Sequence, residues 1–192
     1  MRMMLVVLVA CTVVVAACGG SDSPTSPSRT TGTLNLMLKD SPFSDAKSVL
    51  VTFSAVTAHR DTDSDFTTVP FTDAATTRTC DLKKLEATPD ILGIGTLASG
   101  HYTQVRLVVS SATIHFDGAA AGNACAPTLT APAGRSAPLV IPSGEVRLNR
   151  QFEVRAGGTT TMLLDFDGDK SIRETGNGRY MMTPVIAVQS VE

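Results

Sequence analysis

Apolar and polar side chains alternate with a period of two along much of the chain after residue 32. The clearest case is the segment 145–155, where aliphatic and aromatic positions alternate with charged and amide side chains. Successive side chains of a β-strand point to opposite faces of its sheet, so this pattern predicts a half-buried strand with one face in water. The apolar positions are Val146, Leu148, Phe152 and Val154, and the polar ones are Glu145, Arg147, Asn149, Gln151, Glu153 and Arg155.

The same alternation predicts further strands on both sides of this segment. Apolar residues recur at every second position in 34–38, 49–55, 105–109 and 162–166, and a last strand is predicted over 180–188. Pro184 lies inside that last segment. Because proline cannot donate to a sheet's hydrogen-bond ladder, we expect this strand at an edge or with a bulge.

Two segments depart from the alternation. Residues 81–86 suit a short helical turn capped by Asp81, and residues 117–138 are rich in Gly, Ala and Pro, which predicts a long loop. About eight short strands separated by turn signals, with one helical turn, predict an all-β fold. The expected architecture is an antiparallel β-sandwich of immunoglobulin-like or transthyretin-like type.

The N-terminus has the pattern of a lipoprotein signal peptide. Arg2 precedes an apolar run over 3–15, and the run ends in Val-Ala-Ala before Cys18. Such a run is too short to span a bilayer but typical of a cleaved export signal. We therefore expect cleavage before Cys18 and lipid on its thiol, which anchors the chain to a membrane. A secreted protein cleaved at the same place but carrying no lipid is the alternative.

This interpretation divides the chain into three parts. Residues 1–17 form the signal peptide, residues 18–31 a flexible Gly/Ser/Pro-rich tether, and residues 32–192 a single β-sandwich domain. The expected location is the cell envelope. Gly19 follows the lipidated cysteine where an aspartate often signals inner-membrane retention, which favours the outer membrane and leaves its periplasmic or surface side open.

Composition limits the classes of partner. The formal net charge is −2, and no stripe of Lys or Arg suggests a nucleic-acid surface. The chain has no Trp and few other aromatic residues, which disfavours a sugar site built on stacked rings. Nucleic acid is therefore excluded as an expected partner, and an envelope protein or a glycan remains.

Two of the four cysteines remain after the export signal and the lipid site are assigned. Cys11 lies in the signal peptide and Cys18 is the lipid site, which leaves Cys80 and Cys125 in the exported domain. Export leads to an oxidising compartment, where paired cysteines form disulfides. A disulfide between Cys80 and Cys125 is the expectation, and two buried thiols are the alternative.

Alternating carboxylates in 165–169 suggest a hard cation. Asp165, Asp167 and Asp169 offer oxygen ligands of the kind that calcium prefers. The segment departs from an EF-hand loop, because Lys170 stands where that loop has glycine and Gly176 where it has glutamate. A looser calcium site is one interpretation, and a polar hairpin turn around Gly168 is the other. No further cofactor is expected.

An ordered set of short motifs resembles a known family. Residues 32–42, Gly-Thr-Leu-Asn-Leu-Met-Leu-Lys-Asp-Ser-Pro, are similar to the opening G-x-L-x-V-x-L-T-D-A-P of domain-of-unknown-function family 4382, with Lys39 where the family often has threonine. Similar matches follow in order at 49–59, 97–107, 141–144, 164–167, 171–172, 178–180 and 184–186. The resemblance implies a small β-sandwich on exported bacterial or archaeal proteins, often lipoproteins. It implies no activity.

Catalytic signatures are absent from the sequence. No H-E-x-x-H or G-x-S-x-G motif occurs, and His59, His101 and His115 are far apart. We therefore expect a non-enzymatic binding, adhesion or scaffold module. Its contact surface is expected on the polar face of 145–155 and on the loops at one end. The alternatives are a calcium-dependent binder, with glycan a candidate ligand, that uses the turn 165–169, and an envelope hydrolase with an unrecognised carboxylate site.

Overall fold

The computed structural model describes residues 30–41 and 45–192. The predicted signal peptide, Cys18 and most of the tether lie outside the described residues. Neither helix in the described ranges is long and apolar enough to cross a membrane. The strands are β1 (Thr31–Ser41), β2 (Ser48–Arg60), β3 (Phe66–Thr68), β4 (Arg78–Asp81), β5 (Asp90–Ala98), β6 (Gly100–His115), β7 (Cys125–Ala126), β8 (Ser136–Val140), β9 (Glu145–Val154), β10 (Thr159–Asp167), β11 (Ile172–Gly176), β12 (Arg179–Met182) and β13 (Ile186–Val191), and the helices are α1 (Leu82–Leu85) and α2 (Gly168–Ser171).

The strands form two sheets, as the predicted sandwich requires. The small sheet has the order β13-β10-β1-β5, and the large sheet has the order β11-β12-β8-β6-β2-β4-β7, with β3 paired to β2 and β9 paired to β6. The predicted all-β sandwich is confirmed. Its sheets are mixed and not wholly antiparallel, because β1 runs parallel to β10 and β12 runs parallel to β8. Alternation along one strand carries no signal for the direction of its neighbour.

One continuous apolar core includes residues of both sheets. The predicted inward positions of β1, Leu34, Leu36 and Leu38, are fully buried. The inward positions of β9 are buried as well, namely Val146, Leu148, Phe152 and Val154. Burying one such side chain contributes about 1.5–3 kcal/mol. The period-two pattern therefore predicted the core-facing sides of these strands correctly.

The chain enters the described fold next to the start of β6. The carbonyl oxygen of Thr30 accepts a hydrogen bond from the backbone nitrogen of Ser99 at 2.8 Å and from the Ser99 hydroxyl at 3.1 Å. Ser99 lies directly before β6. These contacts place the beginning of the described domain at one particular end of the large sheet.

The predicted strand over 180–188 is wrong in one respect. It is two strands, of which β12 belongs to the large sheet and β13 forms an edge of the small sheet. Pro184 lies between them, where the chain passes from one sheet to the other. A residue without a backbone N–H is suited to such a break in pairing. The edge position expected for the end of this segment is confirmed.

Short elements account for most of the difference between about eight predicted strands and the thirteen observed in the described ranges, and the nine-residue strand β5 was also not located from the alternation. The predicted loop 117–138 contains β7 and the start of β8, and β7 has only two residues. The helical turn at α1 is confirmed, and the Asp81 side chain accepts from the Lys83 nitrogen as a cap. The turn around Gly168 is a second short helix, α2. Elements this short have no measurable period.

Candidate functional site

A disulfide joins the two cysteines of the described residues. Cys80 on β4 and Cys125 on β7 lie directly opposite each other, with an S–S distance of 2.07 Å. The bond ties the Gly/Ala/Pro-rich segment to the edge of the large sheet. The two residues are separated by 45 positions, and closing a loop of that length stabilises the fold by about 4 kcal/mol in the chain-entropy account.

The acidic turn 165–169 does not gather its carboxylates around one point. Asp165 pairs with Lys39 at 3.2 Å, whereas Asp167 caps α2 and accepts from Lys170 Nζ at 2.6 Å. The hydrogen bond from Lys170 lowers the pKa of Asp167. Asp169 is exposed. In residues 30–41 and 45–192, no three His, Cys, Asp or Glu side chains are grouped so that they could hold a metal ion.

The polar side of β9 belongs to a wider surface on the outside of the large sheet. β6 lies between β9 and β2, and β3 lies on the far side of β2 from β6. We call their shared outward surface the polar face. It carries His59, Phe66, His101, Thr103, Gln104, Arg106, Arg147, Asn149, Gln151 and Glu153.

A groove of about 350 Å³ lies in the middle of the polar face. It is lined by His59, Phe66, Thr103, Gln104, Arg106 and Asn149. Cross-strand pairing assembles it, because Gln104 is opposite both His59 on β2 and Asn149 on β9. The pairing of β6 with β9 shifts register between Tyr102 and Gln104. This bulge lets the consecutive residues Thr103 and Gln104 both line the groove.

Contacts between side chains hold Arg106 in place. Its guanidinium carbon lies 3.7 Å from the centroid of the Phe66 ring. Arg106 Nε donates to Gln104 Oε1 at 2.6 Å, and Gln104 Nε2 in turn donates to Asn149 Oδ1. On the other side, the His59 ring packs against Phe66 with centroids 4.8 Å apart, and its Nδ1 is 3.2 Å from Thr103 Oγ1. The groove lining is therefore a connected network.

Arg106 differs from the other shielded arginines of the described chain. Among the arginines that the structure describes, only Arg60, Arg78 and Arg106 are not exposed. Arg60 pairs with Asp63 at 2.7 Å, a contact that lowers the pKa of the Asp63 carboxyl, and Arg78 lies 3.7 Å from Asp90. Arg106 makes no ion pair with any described carboxylate. A partly buried guanidinium without a counter-ion is unusual, because desolvating a charge is costly.

The position opposite Arg106 on β9 is another arginine, Arg147. Arg147 is exposed and pairs with Glu145 on its own strand. Like charges directly opposite in a sheet destabilise it. Because Arg147 is paired, Arg106 is the unpaired charge of the groove lining, although the whole chain is slightly acidic.

A second cavity, of about 370 Å³, is different in character. Phe116 and Tyr180 line it, with ring centroids 5.4 Å apart, and Arg135 lies beside them. The guanidinium of Arg135 binds Asp117, with Nη2 2.9 Å from Oδ1, and this contact lowers the pKa of Asp117. The cation of this cavity is already neutralised, which distinguishes it from the groove.

Comparison with known families places the chain. Residues 31–184 match the family model described as Domain of unknown function (DUF4382). The chain belongs to this family. The resemblance noted from the sequence motifs is thereby confirmed. All residues that line the groove lie within the matched part of this DUF4382 domain.

Other comparisons add little to this DUF4382 assignment. No curated protein matches the chain. A crystal structure of a leucine-rich repeat protein from Bacteroides thetaiotaomicron is similar over 69% of this chain and 13% of that one, with 15% identity and a TM-score of 0.26. A likeness at that TM-score carries no argument about fold or function.

The groove combines predicted and missed residues. Asn149 belongs to the polar side of β9 that the sequence pattern singled out. His59, Phe66, Thr103, Gln104 and Arg106 were missed, although the alternation at Val105 and Leu107 implies outward positions for the last two. The remaining histidines are elsewhere: His101 contacts Glu153 at 2.7 Å, and His115 is buried.

Proposed function

We propose that this DUF4382 protein is a non-enzymatic binding module, attached to the cell envelope through a lipid on Cys18, and that the groove is its binding site. The observation that carries the proposal is Arg106, a shielded cation without a carboxylate partner in the described chain. It stands beside amide and hydroxyl groups in a groove of about 350 Å³. That volume is within the range of small-molecule sites.

The scaffold suits binding without rearrangement. The lining residues lie on the four strands β3, β2, β6 and β9, each of which pairs with the next. Hydrogen bonds join Arg106 to Gln104 and Gln104 to Asn149. Side chains that are already ordered lose little conformational entropy when a ligand arrives. We therefore expect the same groove geometry in the free and the bound protein.

The chemistry of the lining supports binding over catalysis. The groove offers guanidinium, amide, hydroxyl and imidazole groups, and neither a carboxylate nor a thiol lines it. Hydrolysis of glycosides by the usual route needs a pair of carboxylates at the bond that breaks. No specific observation favours the envelope hydrolase or the calcium-dependent binder.

Anchoring is supported by the sequence before the described residues. The apolar run over 3–15 leads to Ala17 and Cys18 in the pattern of a lipoprotein signal. The absence of aspartate at position 19 supports the outer membrane. On this proposal the lipid on Cys18 supplies the membrane contact, and the groove supplies the contact with an envelope glycan.

Binding is tested by filling the groove. Asn149→Trp places a large ring in the groove, and Gln151→Trp is the matched control on the same strand and the same exposed side. Full-length chains are compared for binding to a panel of neutral and acidic polysaccharides immobilised on a surface. We expect at least one polysaccharide to bind wild type and Gln151→Trp but not Asn149→Trp. Equal behaviour of the two variants, or no binding to any member, would overturn the proposed site.

Anchoring is tested separately. Cells that express the full chain are labelled with radioactive palmitate and fractionated. We expect label in the wild type and in Cys11→Ser, and none in Cys18→Ser, which should also leave the membrane fraction. Label that persists in Cys18→Ser would contradict lipidation at this residue.

A further inference from the structure

We infer that the ligand of the groove is an acidic polysaccharide and that Arg106 binds the carboxylate of one of its uronate units. This inference rests on the proposed binding function of the groove. It adds the chemical class of the ligand. Three observations carry it: the unpaired charge of Arg106, the atoms of its guanidinium that stay free, and the polar character of the remaining lining.

The charge of Arg106 calls for an external anion. Arg60 and Arg78, the other two arginines that are not exposed in the described chain, each have a carboxylate partner. Arg147 is directly opposite Arg106 and has its own partner in Glu145. An anion bound at Arg106 would balance its charge and relieve the repulsion between the two opposed guanidinium groups.

The free atoms of Arg106 match a carboxylate. Its Nε is occupied by Gln104, and no described residue accepts a hydrogen bond from its two terminal nitrogens. Terminal guanidinium N–H groups lie in one plane and bind the two oxygens of a carboxylate in parallel. Phe66 contacts the guanidinium from one side, with Arg106 Cζ 3.7 Å from the ring centroid. These contacts position the two terminal nitrogens of Arg106 before the ligand binds.

The rest of the lining suits a sugar better than a peptide. Thr103, Asn149 and His59 offer partners for hydroxyl groups. Peptide binding is anchored mainly by apolar and aromatic side chains in pockets, and the exposed large apolar residues of the described chain, Ile94, Val140 and Val185, are all outside the groove. The Phe66 ring already contacts Arg106 and His59. Recognition must therefore rely on charge and hydrogen bonds, which an acidic sugar supplies.

The experiment compares three polymers on the full-length chain. Polygalacturonate carries carboxylates on sugars, galactan is a neutral polymer of the parent sugar, and poly-L-glutamate carries carboxylates on a peptide. We expect wild type to bind polygalacturonate at low salt, with affinity that falls as salt rises. Neither galactan nor poly-L-glutamate should bind comparably.

Variants assign the binding to Arg106. Arg106→Gln should weaken polygalacturonate binding about ten- to a hundredfold, as expected for the loss of charge-assisted hydrogen bonds. Arg173→Gln is the matched control, an exposed arginine on β11. Asn149 is exposed, so Asn149→Asp should not disturb folding. The substitution puts a carboxylate beside Gln104. It should weaken binding to a similar extent, and it decides the matter if Arg106→Gln does not fold.

Each other outcome has a defined meaning. Galactan binding that is lost in Asn149→Trp but kept in Arg106→Gln would overturn the acidic ligand and leave the groove as a binding site. Poly-L-glutamate bound as tightly as polygalacturonate, through Arg106, would overturn the sugar. Polygalacturonate binding that survives both Arg106→Gln and Asn149→Asp would overturn the role of Arg106. If no polymer binds in a groove-dependent way, the inference and the proposed function both fail.

Discussion

Arg106 lies over the ring of Phe66, with its guanidinium carbon 3.7 Å from the ring centroid, although the two residues are on strands that do not pair with each other. β2 lies between β6 and β3, and the arginine side chain extends across it. This contact both closes one side of the groove and fixes the orientation of its cation. Its strength can be measured apart from any ligand.

Replacing Phe66 should remove the contact between its ring and the Arg106 guanidinium. A cation–π pair at a partly exposed site contributes about 0.5–1 kcal/mol. We expect Phe66→Leu and Arg106→Met to show a coupling of that size in a double-mutant cycle of urea unfolding. Additive effects of the two substitutions would mean that the stacking contributes nothing to stability.

Loss of the disulfide between Cys80 and Cys125 should be among the larger single effects on stability. We expect the double variant Cys80→Ala with Cys125→Ala to lower the free energy of unfolding by about 2–5 kcal/mol. Reductant should produce a similar loss in the wild type. The double variant provides the control, because reductant should not change it further. If complete reduction of the disulfide left the unfolding free energy of the wild type unchanged, the bond would not contribute to stability.

Acid stability should depend on the pair Asp117 and Arg135. Hydrogen bonds from Arg135 lower the pKa of Asp117 below its ordinary value of 3.8. The folded state therefore binds this proton less readily than the unfolded state, and the stabilisation is complete above about pH 4 and lost as pH falls through the folded pKa. Asp117→Asn should flatten the dependence of unfolding free energy on pH below about pH 4.

Arg135→Gln provides the comparison for this acid effect. It removes the side-chain donors but keeps the backbone nitrogen of residue 135, which also donates to Asp117, at 2.7 Å. We therefore expect a smaller flattening in Arg135→Gln than in Asp117→Asn, measured by urea unfolding across the acid range. Equal slopes in the wild type and both variants would contradict the assignment.

Calcium should leave the thermal stability of the domain unchanged. The pairs of Asp165 with Lys39 and of Asp167 with Lys170 occupy carboxylates that a calcium site would need. We expect melting curves in calcium and in chelator to coincide. A calcium site at a hundred times its dissociation constant would add about 2.7 kcal/mol and raise the midpoint by roughly 5–10 °C. A rise of that size would restore the acidic turn as a metal site.

The core and part of the site were predictable from the sequence for one physical reason. In a half-buried strand, alternate residues face the core and the solvent. Leu36 and Val146 could therefore be assigned to the core and Asn149 to the solvent side. The alternation is a local signal. It needs no knowledge of which strand lies next to which.

The rest of the groove depends on non-local pairing. Phe66 and Arg106 meet only because β3 and β6 both pair with β2. Thr103 joins the lining only because a bulge interrupts the alternation of β6. The sheet change at Pro184 is likewise a property of the partners of two strands. No period along the chain encodes these relationships.

The hydrogen bonds between Thr30 and Ser99 have a geometric consequence if the lipid proposed on Cys18 ties the chain to a bilayer. Thr30 lies beside the start of β6. Arg106 is on the same strand, about 20 Å from Gly100. The groove would then lie near the point where the proposed tether joins the domain, so the extension of that tether would set how far the groove stands from the bilayer.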